Sequence, residues 1–366
     1  MVSVLDAKPA IEQALAAALG NDGVLNDLTS VEPGSVSNQA ALAPFRAFSY
    51  RLYSSAAATT ALRELLRCHL PGSTSSSYED AVSAIARNGH HCYLVGGQVR
   101  DILRGVVSTD VDFNYSCSAR EVALVTVAND WPTKFKCVGD TTVPNYVLIG
   151  DESSEEYLEG FSIDFNATKA CYMMDFRMNM CLYDLTNDVI IDKTGFGVAD
   201  IRAAELRLPC VAGETFEMWA SATITQGLKE LRFLKFVLRA QAKGAPLATD
   251  AAECEFVVQS LRRALSSNAD ALRGFWFGYA LGAQLKTPAG VAMLRDWVVH
   301  RGGPSWWAEA WEPLVRGCVP ATSLEGGGGS PKTPAPHAWP RYWRRYWRRW
   351  ALRRPAPVSF PAPVRV

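Results

Sequence analysis

The run YLVGGQVRDILRGVVSTDVDFNY, Tyr93 to Tyr115, reads as an apolar strand, a tight turn at Gly96-Gly97, a short helix, a loop and a second strand. Successive side chains of a strand point to opposite faces, so residues two apart share one. Asp110 and Asp112 therefore aim the same way. Two ionised carboxylates side by side repel each other unless a cation sits between them, and hard divalent ions such as Mg²⁺ take oxygen ligands of this kind. A metal held by Asp110 and Asp112 would stabilise attacking and leaving oxygens in phosphoryl chemistry. Gly96 and Gly97 fit the same chemistry, because without side chains their backbone N–H groups can approach a triphosphate. These residues point to nucleotide transfer.

The rest of the chain sets the frame. At 366 residues, with 48% hydrophobic and 20% charged residues, it is long enough for two or three domains and ordinary in composition for a soluble globular protein. No apolar run reaches the length of a membrane span. Formal charge is zero, yet Lys332 and eight arginines follow Glu325 with no further acid, so the body before them is net acidic. Nine dispersed cysteines, without paired spacing, argue for a reducing, intracellular compartment, cytoplasm or organelle, and against zinc.

Four regions are expected. Residues 1–77 read as a helix, Ala7 to Leu19, a polar stretch and a linker rich in Ala, Ser and Thr that ends in a helix from Thr60 to Cys68. An organelle signal is the alternative for that linker. Residues 78–215 form the domain that holds the opening stretch. Its first helix, Tyr78 to Asn88, puts Tyr78, Ala81, Val82 and Ile85 on one face, and a second follows from Ser118 to Asn129. Strands are expected around Lys134 to Val138, at Tyr146 to Ile149 and at Phe161 to Phe165. On the last of these, Asp164 is a third carboxylate, an orienting group for the first two, or merely solvated. Asp175, Phe176 and Asn179 fall on a helix start, and a hairpin turns at Thr186-Asn187-Asp188. Residues 216–318 are helical, beginning with Gln226 to Lys243, whose row Lys229, Arg232, Lys235 and Arg239 faces either solvent or nucleic acid. Residues 319–366 are a Gly/Pro linker and a tail, RYWRRYWRRWALRR, whose arginines and aromatics suit RNA or an anionic membrane surface, or no specific partner.

The run LVGGQVRDILRG followed by TDVDF resembles the head of the bacterial-type poly(A) polymerase and CCA-adding tRNA nucleotidyltransferase family, within the polymerase-beta-like nucleotidyltransferases. FSIDFNATK, with Asp164 and Lys169, is similar to that family's next strand. MMDFRMNMCLYDL resembles its Arg-Arg-Asp-Phe-Thr-x-Asn-Ala motif, keeping Asp175, Phe176 and Asn179. LKELRFLKFVLRA resembles its Glu-Asp-x-x-Arg helix, keeping Arg232. Met173, Met174, Arg177, Leu228 and Lys229 depart from those motifs. The resemblance covers roughly Tyr78 to Gly244. It implies an α+β fold, with a nucleotidyltransferase head of mixed sheet and flanking helices, then an all-helical neck and body. It also implies a Mg²⁺-dependent enzyme that uses ATP or CTP to extend an RNA 3′ end, with tRNA as acceptor. Asp110, Asp112 and Asp164 would be catalytic, with Asp110 and Asp112 on the metal. Gly96, Gly97, Arg100, Asp101, Asp175, Asn179 and Arg232 would line the nucleotide site, Arg100 either neutralising phosphate or pairing with Asp101. The alternative is a nucleotidyltransferase fold with weakened catalysis that serves as an RNA-binding adaptor.

Overall fold

In a computed structural model the chain is an α+β protein built on one antiparallel sheet. The structure describes residues 2–19, 25–28, 42–70, 73, 75–108, 111–115, 119–131, 133–136, 146–149, 170–222, 226–272, 280–282, 285 and 287–318. Asp110, Asp164, Lys169, the strand expected at Phe161 to Phe165 and the Arg/Trp-rich tail lie outside the described residues.

The chain opens with helix α1 (Val4–Leu19), strand β1 (Asn26–Asp27), a 3₁₀ turn (Ala43–Phe45), β2 (Arg51–Ser54) and α2 (Ala56–Leu66). Next come α3 (Tyr78–Arg87), β3 (Cys92–Val95), α4 (Gly97–Leu103), β4 (Asp112–Tyr115), α5 (Ala119–Ala128), β5 (Thr133–Lys136) and β6 (Tyr146–Ile149). Two 3₁₀ turns, Cys171–Met173 and Arg177–Asn179, lead into the hairpin β7 (Cys181–Asp184) and β8 (Val189–Asp192). After α6 (Gly197–Ala203) and β9 (Glu205–Leu206) the chain turns helical. It continues with α7 (Phe216–Ser221), α8 (Leu228–Ala242), the short strand β10 (Ala248–Thr249), α9 (Ala251–Ala271) and α10 (Pro288–Gly302). A closing run comprises α11 (Pro304–Trp306), a π-helical segment (Trp307–Trp311) and α12 (Glu312–Cys318). No described helix is long and apolar enough to cross a membrane.

Six strands pair in the order β1-β2-β8-β7-β3-β4, every pairing antiparallel rather than mixed as expected. The parallel pair, β9 with β10, belongs to a separate two-stranded sheet. The alternation of strand side chains divides the core in two. Tyr53, Leu94, Phe113, Tyr183 and Ile190 enter a large core shared with Leu62, Ile85, Val99, Ile102 and Val122 of helices α2 to α5. Leu52, Tyr93, Leu182, Val189 and Ile191 face the other side and pack on Phe45. Each such side chain, fully buried, contributes about 1.5–3 kcal/mol.

Two expectations need correction. Residues 45–77 are not a linker before the head. Phe45 is fully buried, and β2 pairs with β8 through Leu52↔Ile191 and Tyr53↔Ile190. A four-residue strand carries too little alternation to stand out. The Ala-rich stretch after it is a helix because Ser55 caps it and small residues such as Ala58 and Ala61 let it pack closely. Within residues 175–179, expected as a helix start, only Arg177–Asn179 is helical: it makes a single 3₁₀ turn after an extended Phe176, and strand β7 begins at Cys181.

Helix α3 follows its expected face, with Tyr78, Ala81, Val82 and Ile85 all buried, and a capping box between Ser77 and Asp80 fixes its start. Leu231, Leu234 and Leu238 of α8, Val257 and Leu261 of α9 and Leu294 and Val298 of α10 belong to the same core as the sheet. The apolar interior therefore runs unbroken past residue 215.

Candidate nucleotide site

Strand β3 delivers the chain to Gly96, whose φ of 70° and ψ of −136° suit glycine alone, and the chain then turns into α4. In the neighbouring strand, Asp112 stands opposite Val95 in the ladder. A Cβ built on Gly96 would lie 3.9 Å from Asp112 Oδ2, so the turn brings the Gly96 backbone next to that carboxylate. An oxygen donor there suits a hard cation. Among the described residues no group of three or more His, Cys, Asp or Glu side chains gathers at metal-binding distance, and Asp110 and Asp164 are not among them.

One turn into α4, Arg100 is the hub of the cluster. Its Nε and Nη2 both lie 2.7 Å from Asp101 Oδ1, and its Nη1 donates to Asn179 Oδ1 at 2.7 Å. Its guanidinium also sits 5.1 Å from the ring centroid of Phe236 on α8. Both readings of Arg100 therefore meet one fact: it is already tied to Asp101. Phe236 in turn packs at 4.9 Å on Phe176. Beside Phe176, Asp175 accepts from Arg232. Gly96, Arg100, Asp101, Asp175, Asn179 and Arg232 are thus joined across well over a hundred positions of sequence by direct contacts and by the Phe176–Phe236 pair. Gly97 belongs to the same turn, its missing Cβ 3.2 Å from Arg100 Nη2.

Three further groups hold this arrangement and carry no motif that would have marked them. Glu214 accepts from the amides of Cys171 and Tyr172, each at 3.1 Å. Trp219 Nε1 donates to the carbonyls of Met174 at 3.1 Å and Asp175 at 3.0 Å. Asp200 takes both arms of Arg177, at 2.7 and 2.8 Å, while the Arg177 guanidinium stacks 5.2 Å from Phe196. Burial pushes the Asp200 carboxyl up, opposed by Arg177. The arginine that stands where the family motif has threonine is thereby spent on the fold.

The charged row of α8 does not lie on one exposed edge. Lys229 is 5% exposed and points inward. Its Nζ donates to the Tyr172 carbonyl at 2.8 Å and sits 5.7 Å from the Trp219 ring. Burial lowers its pKa to about 8, partly offset by Asp175 and Glu230. Glu230 is buried as well, accepts from Ser260 at 2.5 Å, and has its pKa raised by that burial. Lys229 shares a face of α8 with Arg232, Phe233 and Phe236, and the buried Phe233 carries that face into the core with Lys229 on it. Arg239 and Lys243 remain exposed.

The chain matches no protein-family model and no curated protein. Among solved structures it is similar to a tRNA nucleotidyltransferase complexed with a primer tRNA and an incoming ATP analogue, at 18% identity over 63% of this chain and 62% of that one, with a TM-score of 0.45. It is similar to the Thermotoga maritima CCA-adding enzyme complexed with tRNA, at 18% identity over 60% of this chain and 49% of that one, TM-score 0.43. A tRNA-processing enzyme with CTP follows at 14% identity over 69% of this chain and 60% of that one, TM-score 0.44. The chain thus spans 49–62% of the length of these structures.

Proposed function

We propose that this chain is a nucleotidyltransferase that adds nucleotides from ATP or CTP to an RNA 3′ end, with tRNA as the acceptor. The observation that carries the reading is convergence. Arg100, Asn179, Asp175 and Arg232 come from three separate stretches of sequence and meet beside the Gly96-Gly97 turn. Asp110 and Asp112 are the residues that would hold Mg²⁺, which when bound favours the ionised 3′-hydroxyl and neutralises the departing pyrophosphate. The position of Asp112 Oδ2 directly beside the Gly96 turn supports that assignment.

The protein's own groups supply the rest. The amides of Gly96 and Gly97 approach the phosphates without obstruction by side chains. Arg100 and Arg232 lend positive charge, each fixed in direction by its carboxylate partner, so that little order is lost when a nucleotide arrives. Asn179 accepts from Arg100 and would leave its amide nitrogen for the nucleotide. Phe236 and Phe176 pack on each other beside Arg100 and give the site an apolar side.

The test is incorporation of labelled ATP or CTP into RNA acceptors by the purified protein, with and without EDTA and with an Asp110→Ala/Asp112→Ala variant. Incorporation that requires a divalent ion and vanishes in the variant is expected. A second reading, an RNA-binding adaptor with little catalysis, is favoured by the commitment of Arg177 to Asp200 and of Lys229 to Tyr172, which takes both from any ligand. Absence of incorporation with every NTP and acceptor, together with RNA binding that the double variant retains, would select it and refute the enzyme.

A further inference from the structure

The short segment Cys171 to Asp175 is held from three directions. Glu214 accepts from two of its amides, Trp219 donates to two of its carbonyls, and Lys229 donates to the remaining carbonyl in contact, that of Tyr172. At the end of the segment stands Asp175, paired with Arg232. Lys229 and Arg232 are three residues apart on α8, so they lie on one face and reach the two ends of the same segment. An ammonium buried to this degree is costly unless it is engaged, and its engaged partner is a backbone carbonyl rather than a carboxylate. That choice fixes the path of the main chain instead of balancing a charge.

We propose that Lys229 is a positioning residue of the nucleotide site: its bond to the Tyr172 carbonyl holds the Cys171–Asp175 segment so that Asp175 faces Arg232. The inference rests on the nucleotidyltransferase reading for its consequence, though not for the contact itself. It gives the site a dependence on pH. The titratable groups around Lys229 are Asp175 on the segment, Cys210 ahead of α7, whose thiol burial keeps neutral, and Glu230 and Arg232 on its own helix. Burial lowers the Lys229 pKa to about 8, opposed by Asp175 and Glu230 and aided by Arg232. Above that pH the donor is a neutral amine, and a neutral hydrogen bond is roughly half as strong as a charge-assisted one.

The test measures binding of labelled ATP and CTP, without RNA, from pH 7 to 9.5 for the wild-type protein and Lys229→Met, together with amide hydrogen exchange over residues 170–176. Loss of one hydrogen bond from a charged donor predicts about tenfold weaker binding for Lys229→Met at pH 7, with a flat pH profile. The wild type should weaken toward the variant as pH rises through about 8. Exchange over residues 170–176 should quicken in the variant at pH 7. A flat wild-type profile, or a variant that binds and exchanges like the wild type, overturns the proposal, and the wild-type profile decides the matter even if the variant fails to fold. A wild type that binds no nucleotide while the exchange contrast persists overturns the nucleotidyltransferase reading and leaves the Lys229 contact standing.

Discussion

Replacing Arg100 with methionine separates a structural tie from a phosphate ligand. The side chain is 13% exposed and makes three close polar contacts, two to Asp101 and one to Asn179, besides resting on Phe236. Methionine keeps the apolar stem and removes every one of these. The bond to Asn179 is worth roughly 1 kcal/mol, the pair with the partly solvated Asp101 about 1–2, and the cation–π contact about 0.5–1. Together the loss is about 3 kcal/mol. For a chain of this size that lowers the melting temperature by roughly 5 °C, measurable by calorimetry. A double-mutant cycle with Asn179→Ala should return a coupling of about 1 kcal/mol, since each single change removes the same bond. If Arg100→Met melts within about 1 °C of the wild type and shows no coupling to Asn179, Arg100 is not the hub described above. Loss of nucleotide affinity alone, with the fold untouched, would then assign it to phosphate.

Other perturbations follow from the same contacts. Gly96→Ala places a Cβ at a φ of 70°, so strain of about 1–3 kcal/mol is expected as a lower melting temperature, while Asp112 Oδ2, 3.9 Å from the new Cβ, need not move. Asp200→Asn leaves Arg177 without its bidentate partner at a carboxylate only 5% exposed, and urea denaturation should register a loss of about 3 kcal/mol. For Lys229 the folded pKa, about 8, lies below its ordinary 10.5, so the unfolded chain binds more protons between those values. Wild-type stability should therefore rise relative to Lys229→Met across that window, by up to about 3 kcal/mol, in paired urea titrations at pH 7.5, 9 and 10. Fold stability and nucleotide affinity should then move in opposite directions with pH.

What could be read from residues alone had strong local periodicity or a turn signal. The face of α3 and the hairpin around Thr186-Asn187-Asp188 are both where their patterns put them. The residues singled out for the nucleotide site also come together, although nothing in their spacing specifies that Arg100 bonds Asn179 or that Phe236 lies under both halves. Strand β2 was hidden because its identity depends on a partner far along the chain, not on its own composition. The inward turn of Lys229 escapes its sequence pattern for a related reason. A lysine on an amphipathic helix belongs outside by default, and only partners brought in by tertiary packing, the Tyr172 carbonyl, the Trp219 ring and Asp175, make the interior tolerable.

The same pairing of β2 with β8 has a bearing on how the protein is made. Arg51–Ser54 leaves the ribosome long before Val189–Asp192, and β2 lies between β1 and β8 in the finished sheet. At translation rates of about 5–20 residues per second, the interval is roughly 7–30 s. Throughout it β2 lacks the strand that separates it from β7, and the sheet cannot close around Tyr53 until the hairpin arrives. The nascent amino-terminal segment is therefore a natural client for ribosome-bound chaperones, and slowing elongation between residues 54 and 189 would lengthen its exposure to aggregation.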